Sequence, residues 1–167
     1  FIDDTIRLSY KFRFVVQGGV ALVMVMNGDM IVHSLGHLFS GEFLQLPHWI
    51  AAAFTVIALI GGINAINMID GMDGLSGSIS LASLALMGVV AFQAGDQDNL
   101  LLICALSGGL SGFLYYNLRY ASKRSARVFL GDNGSMLVGL VLCWLLIDLS
   151  QGPTPAMTPI TATWLFA

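Results

Sequence analysis

Charge is what this sequence has least of: 10% of its 167 residues are Asp, Glu, Lys or Arg, against 56% hydrophobic. A soluble domain of this size needs far more charge to cover its surface, so the composition excludes a water-soluble globule and implies a membrane protein. Cysteine is scarcer still. Cys104 and Cys143 both fall in the middle of apolar runs, without metal-ligand spacing, so no disulfide framework or thiolate metal site is indicated and both read as membrane-buried apolar packing residues. The front, "FIDDTIRLSYKFRF", has no initiating Met and no signal peptide, and the far end, "PITATWLFA", stops inside an apolar stretch. The sequence is therefore expected to be an interior piece of a longer membrane protein, residues 1–167 forming one integral-membrane domain truncated at both ends.

The few charges are not scattered. Charge-free windows run over 14–28, 43–69, 74–95, 99–118 and 133–147, and three of them reach the roughly 20 residues that cross a bilayer core. The two shorter ones can be extended by snorkelling Lys11 and Arg13 or by uncharged flanks. The expected fold is all-α, a polytopic membrane helix bundle with spans at about 12–28, 48–67, 75–95, 98–118 and 134–151 plus the start of a sixth.

Five alternating helices put the connections at 1–11, 68–74 and 119–133 on one side, and all seven bases fall there. That side is cytoplasmic by the positive-inside tendency. It also receives Asp3, Asp4, Asp70, Asp73 and Asp132, whereas Asp29, Glu42, Asp96, Asp98 and Asp148 read as ordinary solvated residues outside. Three separate segments, "IDD", "IDGMDG" and "LGDNGS", thus meet at one membrane surface.

Their chemistry is suggestive. Asp70 and Asp73 at i, i+3 would share a helix face if the helix reaches them, with Asn64 and Asn67 on the preceding turn. Polar stripes of this kind are costly near lipid and usually face a cavity. Gly71 and Gly74 give backbone freedom and room for a ligand. In "VFLGDNGS", Asn133 and Ser135 could cap the next helix and leave its N–H groups facing an anion. Arg119, Lys123, Arg124 and Arg127 just upstream would attract phosphates, although positive-inside sorting alone would also place them there. Carboxylates beside phosphate-attracting groups imply a bridging Mg²⁺, with Mn²⁺ as the alternative.

Other features point less far. His33 and His37 have the i, i+4 spacing of helical zinc ligands, but lie on the outer side without a third ligand. Gly108 and Gly112 form a small-xxx-small pattern that reads as close helix packing. Phe129, three residues before Asp132, could stack on a nucleobase or simply pack.

With "FIDD", Lys11 and Gln17, "NAINMIDGMDGLSG", and "YYN" followed by "RVFLGDNGS", the sequence resembles the polyprenyl-phosphate N-acetylhexosamine-1-phosphate transferases. The resemblance covers nearly the whole chain. It is closer to the branch acting on UDP-N-acetylglucosamine and undecaprenyl phosphate than to the phospho-N-acetylmuramoyl-pentapeptide branch, which typically carries a Thr-Asp-Gly-Leu-Asp-Gly form. Members are multi-pass enzymes of the bacterial inner membrane with cytoplasm-facing sites, and they use Mg²⁺. They move a sugar 1-phosphate from a UDP-N-acetylhexosamine to undecaprenyl phosphate and release UMP, starting the lipid-linked assembly of envelope polysaccharides such as O-antigen.

Carried over by motif, the resemblance makes Asp132 the metal ligand, and Asp3 and Asp4 an acidic pair at the metal and lipid phosphate. It assigns Asn67, Asp70 and Asp73 to the nucleotide-binding segment, Phe129 to the uracil, Lys11 to the phosphates, and Asn117 to the substrate site. The implied partners are the UDP-sugar, undecaprenyl phosphate and the bilayer, with no nucleic acid and with a homodimer as an open alternative. A His-rich motif that the family carries further downstream does not occur, because His33, His37 and His48 all lie earlier. A transporter that binds cations through its carboxylates, or an inactive structural subunit, stands as the reading of another class.

Overall fold

The computed structural model describes residues 10–27, 30–36, 44–118, 128–152 and 154–166. Asp3, Asp4, Arg7, Asp29, His37, Glu42 and the bases at 119, 123, 124 and 127 lie outside the described residues. Among the described residues six helices follow one another: α1 Tyr10–Asn27, α2 His48–Ile69, α3 Leu75–Ala94, α4 Gln97–Asn117, α5 Gly131–Gln151 and α6 Pro159–Phe166. Helices are what an apolar run in lipid must form, because only they satisfy every backbone N–H and C=O within the segment.

Helices α2, α3, α4 and α5 are long and apolar enough to cross a membrane. The first helix, expected as a fifth span, has 18 residues, about 27 Å at 1.5 Å per residue. Lys11 and Arg13 in its opening turns hold its apolarity below that of the other four. Where a sixth span was expected to begin, α6 is an apolar helix of eight residues. It packs on α3 and α5, burying Ala162, and Ser83 Oγ donates to its Leu165 carbonyl at 3.0 Å.

The hub of the bundle is α5. Half of its apolar window is buried, more than in any other of the four, and it packs on α2 most extensively and also on α3 and α6. Leu142, Leu145 and Leu149 project from it into the core beside Leu84, Met87 and Ala91 of α3. Contact with α2 is closest at Gly139, where a Cβ would lie 2.9 Å from Ile63 Cα. Ala21 of α1 joins Leu59 of α2 with Cys143 and Ile147 of α5 in a second apolar cluster.

Two expectations are corrected by the packing. Among the described residues Gly108 and Gly112 have nothing within 4 Å of a built Cβ, because the face that α4 buries there runs through Ile103, Leu110 and Leu114 instead. Cys143 is buried in the bundle, while Cys104, also inside a candidate span, lies on the exposed side of α4. At the end of the bundle away from Asp132, Asp96 and Asp148 are not simply solvated. Asn99, 5% exposed, donates from Nδ2 to Asp96 Oδ2 at 2.7 Å and to Asp148 Oδ2 at 2.6 Å, beside a cavity of about 710 Å³. His33, for its part, sits in an extended connection and stacks on His48, with 5.7 Å between ring centroids.

Candidate active site

Helices α1 and α5 point away from one end of the bundle, and α2 runs back towards it. Polar residues near the start of α1, the end of α2 and the start of α5 therefore meet. Asp132, in the first turn of α5, is the centre. Its Oδ2 accepts from Arg13 Nη1 in an ion pair, and its Oδ1 accepts from Asn67 Nδ2 at 3.3 Å. Asn67 Nδ2 also donates to Ser135 Oγ at 2.8 Å. Ser135 is fully buried and turns its hydroxyl back to the carbonyls of Gly131 and Asp132, at 3.0 and 3.1 Å. The expected N-terminal cap of α5 by Asn133 or Ser135 is thus absent, and no side chain caps this helix start.

A second polar layer lies one turn deeper, at i+4 on α1, i−3 on α2 and i+4 on α5. Gln17, buried at 7% exposure, accepts from Asn64 Nδ2 at 2.8 Å and donates to Met136 Sδ at 3.6 Å. Asn64 in turn donates to the Ile60 carbonyl at 2.7 Å. Buried amides of this kind are tolerated only when satisfied, and these pair with one another across three helices.

The "IDGMDG" segment is a turn, so Asp70 and Asp73 do not share a helix face. Helix α2 ends at Ile69, Asp70 caps it, and Ser76 Oγ at the start of α3 donates to Asp70 Oδ1. Gly74 closes the turn at φ +77°, a conformation that disfavours any side chain, and a Cβ there would lie 2.3 Å from Leu118 Cδ2. Asp73 is half-buried in the same turn.

Asn117 at the end of α4 is 3% exposed and donates from Nδ2 to the Val128 carbonyl at 2.6 Å, tying α4 to the approach of α5. Its Oδ1 is buried and has no hydrogen-bond partner among the described residues. An orphaned buried acceptor is costly, and a ligand N–H would relieve it. Next to Val128, Phe129 is 73% exposed, so its ring is not a packing element of this bundle. Lys11 points elsewhere: two residues from Arg13 is about 200° around a helix, and its Nζ lies 6.0 Å over the Tyr10 ring.

Among the described residues no three Asp, Glu, His or Cys converge as a metal cage. Mg²⁺ does not require one, since it is usually held by one or two carboxylates with substrate phosphates and waters. Asp132, an oxygen donor 48% exposed and fixed on a helix end, fits that mode.

The expected site residues Asn67 and Asp132 are in direct contact, and Asp70, Asp73, Asn117 and Phe129 lie on the segments that enter and leave the same bundle end. Arg13 is an addition from the structure, and Gln17 and Ser135, expected only as motif and capping residues, join the site with it. Their signal was available: Arg13 and Gln17 at i, i+4 share one face of an otherwise apolar helix, as Asp132 and Met136 do on α5. Asn67→Ala removes the amide that bridges the Asp132 carboxylate to the hydroxyl of buried Ser135. Activity should fall about 10- to 100-fold, the usual cost of losing such a supporting partner, with little change in thermal stability.

The sequence model of glycosyl transferase family 4 matches residues 1–150. The chain is 36% identical over 167 residues to undecaprenyl-phosphate alpha-N-acetylglucosaminyl 1-phosphate transferase of Escherichia coli O157:H7, and 37% identical to that of Salmonella typhi. It is 35% identical over 166 residues to that of Haemophilus influenzae. In each case 99% of this chain is covered, and 45 or 46% of the relative, so the chain spans about half the length of the curated relatives it matches. The matched stretch includes all of the polar residues of α1, α2 and α5 that gather around Asp132; the chain belongs to glycosyl transferase family 4 and is part of a multi-pass membrane protein.

Proposed function

We propose that this chain carries the site of an enzyme that transfers N-acetylglucosamine 1-phosphate from its UDP-sugar to undecaprenyl phosphate, releasing UMP. The observation that carries the proposal is the meeting of Asp132 with Arg13 and Asn67 at one end of apolar helices. A water-soluble nucleotide and the phosphate of a membrane lipid can both reach such a boundary. The names of the relatives supply the substrates and favour N-acetylglucosamine over the peptidoglycan branch. In this reading the site faces the cytoplasm of a bacterial inner membrane, as the sorting of the seven bases suggests.

Asp132 would hold the Mg²⁺, with Asp3 and Asp4 as the further acids. When bound, the ion would draw off charge that builds on the phosphate oxygens. Everything else falls to the side chains. Asn67 and Ser135 fix the Asp132 carboxylate so that no reorganisation is needed during reaction. Asn117 Oδ1 would accept from a ring N–H of the base, and the exposed Phe129 ring would stack on it. Asp70 and Asp73, held in their turn, would orient the ribose and sugar hydroxyls.

A lipid phosphate oxygen attacks the β-phosphorus, the new P–O bond joins lipid to sugar phosphate, and the bond to the UMP oxygen breaks. The attacking phosphate, with a second pKa of about 6, is already ionised at neutral pH. No residue needs to take a proton from it, which favours direct displacement over a phospho-aspartate intermediate. The transporter reading is disfavoured because Asp70, Asp73 and Asp132 sit at helix ends rather than near a midplane.

The test is UMP release from UDP-N-acetylglucosamine by membranes containing the complete protein. Release that requires undecaprenyl phosphate and Mg²⁺ is expected. Release only with a different UDP-sugar reassigns the donor, and release with none overturns the proposal.

A further inference from the structure

Helix α1 is held by a narrow face. Its buried residues are Gln17, Ala21 and Val25, a single row at i, i+4 and i+8, while Val15, Leu22, Val23 and Met26 around them are exposed. The helix packs chiefly on α2. Apolar contact alone leaves its rotation about its own axis poorly specified, because a face of valine and leucine is as well placed against lipid as against α2. Gln17 is the exception in the row. A buried amide among apolar side chains is costly unless it is bonded, and a leucine here would avoid that cost.

What the amide supplies is direction. Gln17 Oε1 accepts from Asn64 Nδ2 at 2.8 Å, and Gln17 Nε2 donates to Met136 Sδ at 3.6 Å. Asn64 Nδ2 also donates to the Ile60 carbonyl at 2.7 Å, so this amide is itself fixed on α2. Gln17, Asn64 and Met136 thus repeat, one turn deeper, the arrangement of Arg13, Asn67 and Asp132 on the same three helices. A single buried polar contact can set the register of packed helices where apolar contacts do not.

We propose that Gln17 and Asn64 are positioning residues: their hydrogen bond sets the rotation of α1 and, with it, the approach of the Arg13 guanidinium to Asp132. The inference rests on the proposed reaction, in which a cation beside Asp132 stabilises charge that gathers on phosphate oxygens. A side chain that ends about 5–6 Å from the helix axis moves by about 2 Å when the helix turns by about 20°. A misplacement of about 1 Å at a reacting centre can cost about a hundredfold in rate. The pair therefore acts on the chemistry through Arg13, from one turn below it.

The experiment uses the complete protein with spin labels on Cys104, exposed on α4, and at the Val23→Cys substitution on the exposed side of α1. Cys143 is buried, and any reactive cysteine outside this chain is replaced. Pulsed electron paramagnetic resonance reads the distance between α1 and α4 without turnover, and UMP release and thermal denaturation are measured on the same variants. Gln17→Leu, alone or with Asn64→Leu, should shift or broaden the distance distribution by about 2 Å and lower kcat at least about tenfold. The double variant leaves neither amide orphaned, so its thermal midpoint should stay within a few degrees of the parent's. Gln17→Glu keeps an acceptor for Asn64 Nδ2 and should keep the parent's distances. An unchanged distribution in Gln17→Leu overturns the inference, as does a parent-like kcat. So does a loss of kcat matched by a fall in the midpoint of the double variant, which would mark a merely structural pair. A parent that releases no UMP defeats the proposed function instead, and the distances still decide whether the pair sets the rotation of α1.

Discussion

Asp132→Asn in the complete protein should lower turnover by at least about a hundredfold, equivalent to roughly 2.7 kcal/mol of barrier. The substitution keeps the volume and one carbonyl oxygen, which can still accept from Asn67 Nδ2, so the α2–α5 contact should survive. What it removes is the negative charge that pairs with Arg13 and, in the proposed function, holds the ion. Thermal denaturation of the same purified variant controls for folding, and a midpoint within a few degrees of the parent is expected. Retention of more than about a tenth of the rate, a loss under 1.4 kcal/mol, would place the metal on other residues.

The second large effect is structural. Gly139→Ala would ordinarily help a helix by about 1 kcal/mol, since Ala is the better helix former. Here the sign should reverse. The added methyl would meet Ile63 Cα at 2.9 Å, the Ile63 carbonyl oxygen at 3.2 Å and Ile66 Cβ at 3.3 Å. Two of these atoms are backbone and cannot rotate away, so α2 and α5 must separate. Overpacking of this kind costs about 1–3 kcal/mol. Activity should fall along with stability, because separation of the helices draws Asn67 away from Asp132 and Ser135. A thermal midpoint at or above that of the parent would mean that the two helices are not packed at this position.

How far these features could be read from residues alone depends on the distance over which each is determined. The apolar windows at 43–69, 74–95, 99–118 and 133–147 foretell α2 to α5 well, because a long run without charge has few structural options in lipid. Alternation of direction then brings "IDGMDG" and "LGDNGS" to one end, where Asn67 and Asp132 indeed touch. Helix phase is marked only by the i, i+4 spacing of Arg13 and Gln17. Lys11 and Arg13 are equivalent as bases near a helix start, yet only Arg13 faces Asp132, and the choice depends on how α1 is rotated against α2.

Termini and long-range pairs were likewise hidden. An i, i+3 spacing predicts a shared face only while the helix lasts, and α2 stops before Asp70, whose partner Ser76 belongs to the next helix. Asn99 joins Asp96 to Asp148, which lies 49 positions beyond it, so three residues that look like independent solvated polar groups form one bridge. Gly108 and Gly112 show the converse. A local pattern that permits close packing does not dictate which face of α4 is used, and the larger apolar residues on the other face settle it.

The central claim is that a sugar phosphate, rather than a bare sugar, leaves the nucleotide at the site built around Asp132. It is tested most directly with UDP-N-acetylglucosamine labelled in the β-phosphorus, incubated with undecaprenyl phosphate and membranes of the complete protein. The account predicts that the label appears in the lipid fraction and that the released nucleotide is unlabelled UMP, both abolished by Asp132→Asn. Label recovered as UDP, with unlabelled sugar on the lipid, would contradict it.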